Sequence, residues 1–258
     1  MVASLTPLGL HISHQGPQNA AVQMILVHGA MDSSESMARL AAELSAHATV
    51  RYDRRGYGQS SLPAGACPPS LTDHIVDLQS LVGDIPTVLV GHSLGATISL
   101  AVAQRLPGRV LGVMAYEPPL PWEPWWPAPP IPDIGAGTNE IRQAAEDFMR
   151  RAMGGQRWEG LDSDVRSTFL SWGAVWAAEL REAQNRHAFT AGELRVPVVV
   201  AYGSETDDRH RQGAVELAGR VHDSQLVTVE GGTHAAHRRK PRELAKLAHD
   251  LMNRITER

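Results

Sequence analysis

Three separated stretches of the chain carry residue types that could act together on an acyl group. Gly91-His92-Ser93-Leu94-Gly95 follows the apolar run Thr87 to Val90 and precedes an apolar helical pattern. This is G-x-S-x-G between a strand and a helix, the setting that puts a serine on a tight, strained turn with its hydroxyl exposed. The glycines answer a steric need, because side chains two positions either side of the serine would meet the neighbouring strand and helix. The turn also aims a helix N-terminus, with its unpaired N–H groups, at developing negative charge. A serine that only caps a helix would match the residue types, but not the strand before it. Ala96 keeps the turn uncrowded, and His92 is expected to line the turn or pack.

A serine hydroxyl needs a base, and the base needs a carboxylate to fix its tautomer. Glu230-Gly231-Gly232-Thr233-His234 offers a histidine in a glycine loop at the carboxyl end of the last apolar run. His234 is therefore the expected base. His237, its rival, is expected near the start of the final helix and further from the serine. His11, His14, His47, His187 and His210 are expected at the surface or in packing. Two acids stand open: Glu117, at the end of the run Val110 to Tyr116, and Asp207, beside Glu205 and Asp208 after Tyr202-Gly203. Each has a structural reading too, Glu117 as an anchor for the segment after it and Glu205 to Asp208 as a solvated loop or helix cap.

Attack on a carbonyl creates an oxyanion that wants two N–H donors. Leu94, after the nucleophile, is one. Ala30 is the other, in the loop His28-Gly29-Ala30 that follows Met24 to Val27. Gly29 is expected to permit an unusual backbone path there, with His28 holding the loop. Asp32 with Glu35 reads as a capping box for the next helix.

Such positions need a scaffold. Strands are expected at Gln23–Val27, Thr49–Tyr52, Thr87–Val90, Val110–Tyr116, Val196–Tyr202 and Gln225–Val229, with an edge strand within Leu8–His14. Helical patterns fall near Ser36–His47, Leu71–Val82, Leu94–Leu106, Arg211–Val221 and Arg242–Thr256. This alternation predicts an α/β fold, a mostly parallel sheet with helices on both faces. It breaks between 118 and 194. Pro118, Pro119, Pro121, Pro124, Pro127, Pro129, Pro130 and Pro132 predict an extended start to that stretch, followed by helices near Asn139–Met153 and Asp162–Gln184. Open parallel sheets bind ligands at the carboxyl ends of their strands, so residues 118–194 are expected to cap a core of residues 1–117 and 195–258. All six tryptophans (Trp122, Trp125, Trp126, Trp158, Trp172 and Trp176) lie in this stretch. Most are expected to pack, with Trp125 and Trp126 exposed between prolines and available to a hydrophobic substrate.

Composition narrows the class. Of 258 residues 43% are apolar, enough for a large core, and a net charge of -4 argues against nucleic acid as partner. Arg238, Arg239 and Lys240, the densest basic cluster, read as solvated surface. Cys67 is the single cysteine, so no intrachain disulfide forms, which fits a cytoplasmic protein. Neither a secretory leader nor a membrane span is expected. No dinucleotide fingerprint or metal-ligand spacing is found, so no cofactor or metal is expected, and the expected partner is a small-molecule substrate.

Taken in chain order, His28-Gly29-Ala30, Asp53-Arg54-Arg55-Gly56-Tyr57-Gly58-Gln59-Ser60, Gly91-His92-Ser93-Leu94-Gly95 and Gly231-Gly232-Thr233-His234 resemble the α/β-hydrolase superfamily over nearly the whole chain. The resemblance implies structural roles for Asp53 and Arg54. It also bears on the acid. Most members carry an aspartate three residues after the glycine closing the seventh strand, where this chain has Thr206 and then Asp207. A minority, some haloalkane dehalogenases among them, place a glutamate after the sixth strand, and Arg109 to Glu117 is similar to that arrangement, which favours Glu117. Dehalogenation does not carry over, because Ser93 stands where those enzymes have an aspartate. The implied function is hydrolysis of an ester-type bond through an acyl-enzyme. A lyase or acyltransferase on the same residues, or a binding protein with little turnover, are the alternatives.

Overall fold

Continuously apolar runs become strands buried on both faces, and they order the whole molecule. The computed structural model describes residues 2–6, 8–17, 19–63, 65–127, 130–133 and 135–257, so Pro129 lies outside the described residues. Strands β1 (Val2–Leu5), β2 (His11–Gln15), β3 (Gln23–Val27) and β4 (Ala48–Tyr52) are followed by β5 (Thr87–His92), β6 (Val110–Tyr116), β7 (Val198–Gly203) and β8 (Ser224–Val229). They form one sheet in the order β1-β2-β4-β3-β5-β6-β7-β8. The β1–β2 and β2–β4 pairs are antiparallel and the rest are parallel. The amino-terminal edge thus holds a hairpin where one strand is expected from the sequence.

Helices α1 (Ala38–Glu43), α2 (Leu71–Val82) and α3 (Leu94–Arg105) come from the first half of the chain. Between β6 and β7 lie α4 (Thr138–Met153), α5 (Gly155–Glu159), α6 (Ser163–Ser171) and α7 (Gly173–Asn185). The last three are α8 (Asp208–Arg220), α9 (Ala236–Arg239) and α10 (Pro241–Thr256). Side chains of β3 alternate between two layers, as a pleated strand requires. Ile25 and Val27 join a core with α2, α3 and α8, while Met24 and Leu26 join one with α1 and α10. Each fully buried aliphatic side chain in these layers contributes about 1.5–3 kcal/mol.

The segment between β6 and β7 departs from expectation in two ways. It begins with turns rather than extended chain: Glu123 N–H donates to Leu120 O and Trp126 N–H to Glu123 O. The turns fold the indoles inward, so Trp126 is buried and Trp125 half-buried instead of exposed. The helical pattern Asp162–Gln184 is broken at Trp172 into α6 and α7, where Gly173 packs against Ile141 and Ala145 of α4. Helices α4–α7 gather around their own apolar cluster of Met31, Ala145, Met149, Trp158, Trp176 and Ala177.

A buried ion pair fastens this segment to the sheet. Arg54, in the loop after β4, is fully buried and places Nη1 2.6 Å from Glu179 Oε2 on α7. Tyr57 Oη donates to Glu179 Oε1 at 2.5 Å, and His74 Nε2 lies 3.1 Å from Oε2. Burial pushes the Glu179 carboxyl up, but the Arg54 charge with the His74 bond outweighs it and holds it at about 2. The structural expectation for Arg54 is met by a partner that its own loop does not contain.

One helix start differs from expectation. Residues Ser34–Met37 form a 3₁₀ turn before α1, with Ser33 at the cap position and no side-chain cap bond. Asp32 does not form a capping box with Glu35. Its Oδ1 accepts from Ser33 N–H at 2.9 Å and from Arg238 Nη2 at 3.0 Å, which leaves it facing His237 instead.

Candidate active site

Ser93 stands between the last residue of β5 and the first of α3. Its φ of 52° and ψ of -129° lie in a region that L-residues seldom adopt. The surrounding packing enforces the strain. A Cβ at Gly91 would run into the backbone of Ala96, and one at Gly95 into the carbonyls of Val27 and His28. Leu94 is the first residue of α3, so its N–H has no intrahelical acceptor. Glu117, one residue past β6, is also left-handed, with φ 49°.

His234 lies beyond β8, and two carbonyl bonds fix its loop. His92 Nε2–H donates to His234 O at 2.8 Å, tying the loop to the serine turn. Tyr116 Oη donates to Thr233 O at 2.8 Å, tying it to the end of β6. The His92 and His234 rings lie 4.7 Å apart, and Ser93 and His234 line one cavity of about 140 Å³. Glu117 Oε2 is 2.6 Å from His234 Nδ1. A carboxylate can only accept, so Nδ1 carries the proton and Nε2 keeps its lone pair. The other oxygen, Oε1, accepts from Gly203 N–H at 2.9 Å. Burial raises the Glu117 carboxyl, yet the bond and charge of His234, with the Gly203 N–H, hold it below the usual carboxylate range.

Asp207, the other candidate acid, is brought to a different histidine. It caps α8, accepting from His210 N–H at 3.1 Å, and its Oδ1 lies 2.7 Å from His210 Nδ1. His210, expected at the surface or in packing, is packed, and the place where it packs is the wall of this cavity. It is buried, lines the cavity, and stacks on His234 with ring centroids 4.4 Å apart and 24° between planes. The signal for it is local: an aspartate at a helix start with histidine three positions on puts both side chains on one turn.

Ala30 lines the cavity beside Ser93 and Leu94. Gly29 is needed for closeness rather than for unusual dihedrals, since a Cβ there would sit 3.0 Å from Ser93 Cβ and 3.2 Å from His92 Nδ1. The left-handed residue of that loop is Met31, with φ 52°. His28 Nδ1–H donates to Gly29 O at 2.9 Å and its Nε2 accepts from Arg54 N–H at 3.0 Å, so His28 braces this loop. Trp126 lines the cavity, with Phe148, Arg151, Leu180 and Gln184 from α4 and α7; Trp125 is absent from its wall.

His237 is buried in α9, its Nε2 3.5 Å from Asp32 Oδ2 and its ring 3.9 Å from that of His92. Asp32, His92 and His237, and also Glu117, His210 and His234, bring metal-capable atoms within 4.8 Å of one another. In the second group the Nδ1 protons of both histidines already point at carboxylates. In the first, the His92 and His237 rings are tilted by 35° with centroids 3.9 Å apart, and His92 Nε2–H is already given to His234 O.

No helix among the described residues is long and apolar enough to cross a membrane. The model of the alpha/beta hydrolase family matches residues 24–247. The chain is similar to the lipase LipV of Mycobacterium tuberculosis, 28% identical over 114 residues that cover 43% of this chain and 42% of that one. It is similar to an epoxide hydrolase of Caballeronia sordidicola, 32% identical over 120 residues covering 43% and 35%. The chain thus spans less than half the length of these curated relatives. Among solved structures, the enol-lactonase of Burkholderia xenovorans superposes with a TM-score of 0.73 at 20% identity, over 95% of this chain and 96% of that one.

Proposed function

The chain belongs to the alpha/beta hydrolase family, and on that premise we propose that it is a serine hydrolase that cleaves an ester-type bond through an acyl-enzyme on Ser93. The observation that carries this reading is the 2.6 Å contact of Glu117 Oε2 with His234 Nδ1, made by an imidazole that lines the same cavity as a strained serine. With the proton held on Nδ1, Nε2 is the acceptor for the Ser93 proton. The alkoxide attacks the acyl carbonyl, and the Leu94 and Ala30 N–H groups receive the oxyanion. The imidazolium, faced by the Glu117 carboxylate, returns its proton to the leaving group. Water activated by the same imidazole then releases the acid. Residues 118–194 act as a cap, and the apolar walls supplied by Trp126, Phe148 and Leu180 suit a small hydrophobic acyl or aromatic group.

The test is the time course with p-nitrophenyl butyrate. A burst of p-nitrophenolate equal to the enzyme concentration, absent from Ser93→Ala, is the expected result. Steady release at the same rate by Ser93→Ala would remove Ser93 from the chemistry.

A further inference from the structure

His210 has no part in the chemistry proposed above, yet it is a buried titratable group on the wall of the same cavity. Its orientation is fixed from three sides. Asp207 Oδ1 takes the Nδ1 proton at 2.7 Å, the Trp126 ring meets it edge-on at 5.6 Å, and the His234 ring stacks on it at 4.4 Å. Glu117 Oε2, 4.0 Å away, also faces Nδ1 rather than Nε2. Both carboxylates therefore sit on one side of the ring and determine one tautomer, with the proton on Nδ1 and a lone pair on Nε2. Burial, and then the nearby His234, lower the readiness of His210 to take a second proton, so the ring is neutral at neutral pH. Among the described residues Nε2 has no hydrogen-bond partner, and it is not among the atoms enclosed by protein.

A phenylalanine would fill this volume and make the same ring contacts. A buried imidazole, anchored by the half-exposed Asp207, instead costs desolvation of its polar ring, a cost met only when the remaining nitrogen has a partner. None of the described residues supplies that partner, which leaves it to a molecule bound in the cavity that His210 lines. We infer that His210, positioned by Asp207, is a specificity-determining hydrogen-bond acceptor, and that the substrate carries a hydroxyl or amide N–H donor near its scissile acyl group. This rests on the esterase reading for the position of that group. It narrows the substrate from a plain hydrophobic ester to one bearing a donor on an otherwise apolar frame.

The experiment compares p-nitrophenyl esters of butyrate, 2-hydroxybutyrate and 3-hydroxybutyrate. At least one hydroxy ester should exceed butyrate about tenfold in kcat/KM, the worth of one hydrogen bond to a buried neutral group, with the gain in KM. His210→Phe should bring that ratio to about one, and His210→Gln, which keeps an acceptor, should restore part of it. Equal kcat/KM for all three esters, or a ratio unmoved by His210→Phe, overturns the inference and leaves the esterase reading standing. Calorimetric titration of Ser93→Ala with methyl butyrate and its 2- and 3-hydroxy analogues asks the same question without turnover. Tighter binding of a hydroxy ester, lost on adding His210→Phe, supports the subsite even if no ester is cleaved. Indistinguishable binding of all three methyl esters overturns it.

Discussion

Replacing Glu117 by glutamine changes one oxygen to an amine, and the surroundings decide what that does to His234. Glu117 serves two donors, Gly203 N–H through Oε1 at 2.9 Å and His234 Nδ1–H through Oε2 at 2.6 Å. Glutamine has one acceptor for these two places. If its carbonyl stays on Gly203, the amine faces Nδ1, which must then accept, and the proton moves to Nε2, where it blocks transfer from Ser93. If the carbonyl turns to His234, the amine opposes the buried Gly203 N–H, at a cost of about 1–3 kcal/mol for the unsatisfied donors. The first arrangement therefore dominates. Loss of the carboxylate charge opposite the imidazolium adds about another 1.5–3 kcal/mol. Together these predict a fall in kcat of roughly 10²–10⁴. The assay is p-nitrophenyl butyrate hydrolysis, with thermal unfolding to show that the variant is folded. Asp207→Asn should lose less than about tenfold, because asparagine caps a helix as well as aspartate and still accepts from His210. A larger loss in Asp207→Asn than in Glu117→Gln would refute the assignment of the acid.

Two further predictions follow from strain and from the buried ion pair. Ser93→Gly removes the nucleophile and also the left-handed strain at φ 52°. The relief, about 1–3 kcal/mol less the entropy of a new glycine, should raise Tm by roughly 2–4 °C. Ser93→Ala keeps the strain, so an equal rise in that variant would locate the effect elsewhere. The carboxyl of Glu179 is held at about 2 against an ordinary value of 4.5. A depressed carboxyl contributes stability that is present above the unfolded value and is lost as pH falls toward the folded one. Unfolding free energies from urea titration of wild type and Glu179→Gln should therefore differ most above pH 5, by about 3–5 kcal/mol, and converge as pH drops below 4.5. A gap independent of pH would mean that packing, not charge, is lost.

The sheet was legible because strands buried on both faces leave uninterrupted apolar runs; Gln23–Val27 and Val110–Tyr116 emerge with the expected limits. The serine turn was legible for a related reason: glycines are obligatory where Cβ atoms would strike the adjoining backbone. What escaped was set by contacts distant in the chain. Glu179 sits in an apolar helical stretch with no local hint of Arg54, 125 positions earlier. Trp125 and Trp126 looked exposed among prolines, but the turns between Leu120 and Trp126 carry Trp126 into the cavity wall. The place of His210 is not written in its neighbours in sequence, because it depends on His234, which arrives from another strand end and stacks on it. Residues alone do not separate Asp207 from Glu117, since both follow the carboxyl ends of neighbouring parallel strands, β7 and β6.

Intact-mass measurement after exposure to a fluorophosphonate tests most directly whether Ser93 is a nucleophile activated by His234. A single phosphonyl adduct mapping to Ser93, absent from Ser93→Ala and formed at least a hundredfold more slowly in His234→Ala, is the predicted result. An adduct on another residue, or labelling of Ser93 at the same rate without the imidazole, would contradict it.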